Sequence, residues 1–226
     1  MLGTTLIIGL GQFGSRLATS LVSRKLPVMA IDRRADRVAR VSQLIDRALC
    51  LDATDEAALI EAGADRVLVA VCALGEDAIQ ASIMVTALLS QMGVPRIIAR
   101  SITELQSRIL LRVGAHEVIN PEHDMGERLA QRIASPGLLD QIPLAENVSI
   151  GEVRAPESFV GRTLIELQVR KHFGLNVVAI RREKDGSSHV HPNPQANERI
   201  ERNDVLFVIG AEPDIRKLAE GAKVLR

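Results

Sequence analysis

The chain of 226 residues has no tryptophan, no tyrosine, only four phenylalanines and only two cysteines. Without tyrosine, one of the usual proton-transferring side chains is missing from any active site the chain builds. The shortage of aromatics removes the platforms on which single-stranded nucleic acid is stacked. The balance of 28 Lys plus Arg against 28 Asp plus Glu removes the basic surplus that nucleic-acid binders carry. Cys50 and Cys72 each lie in an apolar run (RALCLD, VAVCAL), which predicts two buried thiols in a reducing compartment rather than a disulfide framework. No run reaches the roughly 20 uninterrupted apolar residues that span a bilayer; EDAIQASIMVTALLSQMGV is broken by Gln80, Ser82 and Thr86. The opening TTLIIGLGQFG has no basic n-region or cleavage signal. These absences predict a soluble cytoplasmic protein with no nucleic-acid partner.

What is present is aliphatic and rhythmic. Through residue 120, short β-branched runs alternate with helical patterns: strands at 4–10, 27–33, 47–52, 66–72, 96–100 and 116–120, helices between them. Such alternation predicts right-handed βαβ units and a Rossmann-like doubly wound parallel sheet of about six strands. A further helix, DMGERLAQRIAS, precedes a Pro136-Gly137 break, and after Pro143 the pattern turns strand-rich. Strands are expected at 148–154, 175–183, 188–192 and 204–210, with Lys184-Asp185-Gly186 as a hairpin turn and a helix over 161–171. The expected organisation is α/β, with a nucleotide-binding domain over 1–142 and a smaller α+β domain over 143–226.

The strongest motif is Gly9-Leu10-Gly11-Gln12-Phe13-Gly14, a G-x-G-x-x-G between the first strand and the first helix. Its first glycine makes the turn, its second lets backbone approach a pyrophosphate, and its third lets helix and strand pack. Phosphates then sit at the positive end of the helix dipole. Asp32 ends the second strand, where a carboxylate holds a ribose. Arg33 and Arg34 follow; they read as a 2′-phosphate site or as a solvated pair, and Asp32 favours the plain ribose of NAD, ATP or ADP. Asp52-Ala53-Thr54 ends the third strand at the same sheet edge. Thr54 reads either as an adenosine contact or as the N-cap of the next helix. Arg100, ending the fifth strand, reads as a phosphate counter-charge or as a surface salt bridge.

Catalytic apparatus is missing. Of the five histidines, His123 alone falls near the sheet's ligand edge, between Glu122 and Asp124; these acids read as ligands for a divalent ion or as helix caps. His189 and His191 share one face of an exposed strand, two ligands too few for a metal site. There is no P-loop and no nucleophile elbow. The chain has a nucleotide site without visible chemistry, which predicts a non-enzyme. The alternatives are an NAD(P)-dependent oxidoreductase and a free-standing nucleotide or redox sensor.

The ordered set I-G-L-G-x-F-G, A-I-D, D-A-T, I-Q-A-S and G-A-x-x-V-I-N-P-E-x-D-M-G (114–126) resembles the RCK family, the regulator-of-potassium-conductance domains, and within it the cytoplasmic subunits of Ktr/Trk-type bacterial potassium uptake systems. F-V-G-R-T-L, N-V-V-A-I-R-R and R-N-D-V-L-F-V-I-G extend the resemblance through the C-terminal domain. The resemblance implies homodimers assembled into an octameric ring under an integral-membrane potassium channel subunit, peripheral to the inner face of the membrane. It implies gating by ATP against ADP, or by NAD(H). Gly9, Gly11, Gln12, Phe13, Gly14, Asp32, Arg33, Asp52, Ala53, Thr54, Arg100 and Glu122 then form the nucleotide-contacting set, with Glu122 meeting a divalent cation at the phosphates. Ile180, Arg181 and Pro192 fall where some members bind cyclic di-AMP. Gln12 stands where Ktr-type relatives commonly carry an arginine aimed at the γ-phosphate, Leu51 replaces a small residue, and the 73–77 loop is longer than usual.

Overall fold

In the computed structural model, which describes residues 3–45, 47–184 and 186–221, the expected strand-helix rhythm forms two compact units divided between Asp124 and Met125. The first holds β1 (Thr5–Ile8), α1 (Gln12–Ser23), β2 (Val28–Asp32), α2 (Ala35–Val41), β3 (Arg47–Cys50), α3 (Glu56–Ala62), β4 (Val69–Cys72), α4 (Ile79–Gln91), β5 (Arg96–Arg100), α5 (Glu104–Arg112) and β6 (Glu117–Ile119). Its six strands run in the order β3-β2-β1-β4-β5-β6, every pair parallel, which is the doubly wound arrangement. Alternate residues of β1 feed two cores. Leu6 and Ile8 meet Val85 and Leu89 of α4 on one face; Ile7 meets Ala18 of α1 and Val38 of α2 on the other. All five residues of β2 are buried, because helices cover both faces. The β3 edge is less protected, and this corrects the expectation for Cys50, which is exposed; Cys72 in β4 is buried, and burial pushes its thiol pKa up.

α6 (Pro121–Ala134) begins in the first unit and ends in the second. The second unit continues with β7 (Leu138–Ala145), β8 (Val148–Arg154), α7 (Leu164–Leu167), α8 (Val169–Phe173), β9 (Asn176–Lys184), β10 (Ser187–Pro192), β11 (Val205–Gly210) and α9 (Glu212–Ala219). Its antiparallel sheet has the order β10-β9-β11-β8-β7. Val153, Ile180, Leu206 and Val208 pack with Phe159, Leu167, Phe173 and Ile215, and the two phenylalanine rings meet edge to face at 6.1 Å.

Three features of this unit differ from expectation. β7 is a strand where only a break was expected; it is an edge strand, so Pro143 costs no interior ladder bond. The expected boundary between residues 142 and 143 falls inside it. The helix expected over 161–171 is two short helices, because Gln168 between them is left-handed, with φ of 44°. At the expected hairpin turn, Asp185 lies outside the described residues.

Candidate nucleotide-binding cleft

β1 and β4 are neighbours at the centre of the sheet, where the strand order reverses, and open α/β sheets bind ligands outside that point. Here the crevice is a cleft of about 450 Å³. It brings together Gly9, Gly11, Asp32, Arg33, Asp52, Ala53, Thr54 and Arg100 from the expected set. Gln12, Phe13, Gly14 and Glu122 are not among the residues that line it.

The three glycines are required for different reasons. Gly9 has a φ of +96°, a region open to glycine, and a Cβ there would come within 3.1 Å of the Ala73 carbonyl oxygen. At Gly14 a Cβ would overlap the Gly9 carbonyl oxygen, so the helix and the turn are in backbone contact. Gly11 is different. Its φ of −66° suits any residue, and a Cβ there would meet nothing within 4 Å. The fold makes no demand for glycine at this position; the space its missing Cβ leaves opens on the cleft. Gly11 also precedes α1 without capping it by a side chain, which leaves first-turn N–H groups available to an anion. Gly14→Ala is therefore expected to lose about 2–4 kcal/mol of stability, because the atom in the way is backbone. Denaturant unfolding checks this; native stability would show that α1 shifts freely.

Asp32, 5% exposed, braces the turn. Its carboxylate accepts the Leu10 N–H at 2.6 Å and the Arg34 N–H at 2.9 Å, and Arg37 reaches it at 3.4 Å. Arg34 is held by Asp36 in a two-pronged bond at 3.0 Å, while Arg33 is exposed and in no ion pair among the described residues. At the end of β3, Asp52 accepts both the Thr54 N–H at 2.9 Å and the Thr54 hydroxyl at 2.8 Å. These two bonds hold the Asp52 carboxyl below its ordinary pKa, so it stays ionised at neutral pH. Thr54 is not the cap of α3: Asp55 takes that place, accepting from the Ala58 N–H at 3.2 Å.

Arg100 reaches the cleft from the end of β5 and also makes a salt bridge, Nη2 to Glu122 Oε1 at 2.5 Å. Its guanidinium lies 6.0 Å from the centre of the Phe13 ring, which makes Phe13 a support beneath Arg100. Gln12 is exposed at the first position of α1. Glu122 occupies the first turn of α6, where Asn120 Oδ1 accepts the His123 N–H at 3.1 Å. Among the described residues no group of three or more His, Cys, Asp or Glu side chains could hold a metal ion, so a cation on Glu122 needs oxygens from a bound phosphate. Of the residues considered for cyclic di-AMP, Ile180 is fully buried, while Arg181 faces Glu152 at 2.9 Å and Pro192 lies on exposed β10. The strand's alternation puts Ile180 and Arg181 on opposite faces. His189 and His191 are exposed on the same edge strand.

Arg37, Gln80 and Met84, to which sequence reasoning gave no role, also line the cleft, as do Leu74 and Gly75 of the 73–77 loop that the resemblance singled out. Gly75 was findable, since the end of β4 faces the end of β1 at the reversal point. Met84 was not: the helical pattern shows that α4 is apolar on several sides but not that this residue, 52% exposed, borders the cleft.

Residues 5–121 match the TrkA-N domain model and residues 150–221 the TrkA-C domain model. The chain is 36% identical over 211 residues to Ktr system potassium uptake protein C of Bacillus subtilis (strain 168), covering 93% of each protein. It is similar in fold to the solved "GsuK channel bound to NAD", with a TM-score of 0.52 and 21% identity over 97% of this chain and 38% of that one. A structure described as "GsuK bound to ADP" aligns with a TM-score of 0.50 and 25% identity over 58% of this chain and 34% of that chain. The chain thus spans nearly the full length of the Bacillus relative and well under half of the solved channel.

Proposed function

The chain belongs to the TrkA family, with its TrkA-N and TrkA-C domains in order, and from that premise we propose that it is a nucleotide-binding gating subunit of a potassium uptake system, acting on a membrane-embedded channel subunit. The observation that carries this reading is Gly11: a glycine the fold does not need, opening on a cleft between the α1 N-terminus and Arg100. The 36% identity to a Ktr potassium uptake protein over 93% of its length supports the transport role.

In this role the protein binds rather than transforms. The α1 N-terminus and Arg100 take the phosphates, Asp32 the ribose hydroxyls, and the Asp52–Thr54 segment the adenosine side. Glu122 is available to a divalent cation shared with those phosphates. The ionisable side chains lining the cleft are Asp32, Asp52 and Asp77 and four arginines, groups suited to holding ribose hydroxyls and phosphates. The exposed stripe Met125, Leu129, Ile133 along α6, none of whose residues is buried, fits assembly into dimers and then an octameric ring on the inner face of the membrane. A nucleotide switch requires that two ring states bind the ligand unequally. Cyclic di-AMP in the second unit is a separate element of the proposal, resting on resemblance alone.

Calorimetry with ATP, ADP and NADH in parallel, with the molecular mass in solution measured for each, tests this reading. The expected result is saturable binding of at least one of them at a multimeric mass, without hydride turnover or hydrolysis. Turnover of NADH with a substrate, or no nucleotide binding at all, overturns it.

A further inference from the structure

Arg100 and Glu122 are unequal partners. The Arg100 side chain is 16% exposed and fixed over Phe13; the Glu122 side chain is 59% exposed. Arg100 Nε is buried with no hydrogen-bond partner, and Nη1 lies toward Gly75 at the cleft wall. A guanidinium grips a phosphate two-pronged through its Nε–Nη2 edge or its Nη1–Nη2 edge. Both edges include Nη2, and Nη2 is the nitrogen on which the Glu122 carboxylate sits at 2.5 Å. A carboxylate there opposes a phosphate on either edge, sterically and by like charge.

We propose that Glu122 is an intramolecular competitor for the phosphate site: its carboxylate stands in for the nucleotide's phosphate on Arg100, and binding the nucleotide displaces it. The inference rests on the nucleotide-site reading above and adds a regulatory contact to it. The exchange is easy because Glu122, being exposed, regains water as it leaves, whereas Arg100 stays in place. Glu122 belongs to the first turn of α6, the helix on which the chain leaves the nucleotide unit, so occupancy of the cleft is exchanged for a contact that seats that helix. Asn120 keeps the turn capped after the exchange.

The test is a double-mutant cycle on the full chain, with ADP and NADH affinities measured by calorimetry in the presence of a chelator, so that no cation recruits Glu122. Glu122→Gln keeps the shape and removes the charge; it is expected to tighten binding by about twofold to fivefold, the range of a largely exposed ion pair. In an Arg100→Gln background, where binding is weaker, the same change is expected to do nothing. Equal tightening in both backgrounds means through-space repulsion and overturns the competitor, as does unchanged or weaker binding in Glu122→Gln alone. If the native chain binds neither nucleotide, the site reading itself fails and takes the competitor with it. Circular dichroism and thermal unfolding of each variant establish that it is folded before its affinity is used.

Discussion

Gly11→Ala folds like the native chain and loses nucleotide binding by roughly 100-fold or more. Both halves of that expectation come from the space around the residue. A Cβ on Gly11 meets no protein atom within 4 Å, and the backbone there, φ −66°, is one that alanine adopts freely. Alanine loses less chain entropy on folding but is a poorer residue than glycine before the first turn of α1, and the two effects offset to within about 1 kcal/mol. The methyl group instead projects toward the cleft, at the turn where a pyrophosphate must approach backbone N–H groups to hydrogen-bond distance. A displacement of an ångström there breaks several charge-assisted bonds together. Calorimetry for affinity and denaturant unfolding for stability separate the two halves. Native affinity in a folded Gly11→Ala shows that the ligand does not pass this turn. The contrast with Gly14→Ala, where the obstacle is the protein's own carbonyl, divides the fingerprint into a position kept for the ligand and one kept for the fold.

Asp204→Ala is expected to destabilise the second unit by about 3 kcal/mol. Asp204 has no exposed surface and accepts Arg182 Nε at 2.9 Å, Arg182 Nη2 at 2.8 Å and the Glu201 N–H at 2.8 Å. Removing one partner of a buried pair costs more than the pair contributes, because the other is left desolvated and uncompensated. Arg182 keeps Glu201 at 3.0 Å and Glu198 at 3.6 Å, which puts the cost near the lower end of the range for buried pairs. The bond also ties β9 to the start of β11, so its loss loosens the centre of the sheet. Replacing both partners together, Arg182→Met with Asp204→Leu, is expected to recover part of the loss. Denaturant midpoints of the single and double variants decide this; a loss under about 1 kcal/mol in Asp204→Ala means that the remaining glutamates carry the arginine.

The first unit was legible because its signals are local. The run RVLVAVC reads as a buried parallel strand, and its last four residues form β4; glycines followed by an acidic strand end have few structural readings. The second unit was less legible. Pro143 argues against a strand until the sheet order shows that β7 is an edge, and the left-handed Gln168 that divides α7 from α8 carries no composition signal. Thr54 shows the same limit at single-residue scale: threonine before a helix suggests a cap, yet its hydroxyl is spent on Asp52 while Asp55 caps α3.

By itself the sequence determined the parallel sheet and the glycine turn at its centre, since hydrophobic period and residue type are properties of neighbours along the chain. Only the tertiary structure decided which glycine serves the ligand, that Phe13 supports Arg100, and that Glu122 sits on the guanidinium facing the cleft. Those three depend on distances between residues up to 87 positions apart, which no local pattern encodes; they exist only once β5 and the first turns of α1 and α6 converge at one edge of the sheet.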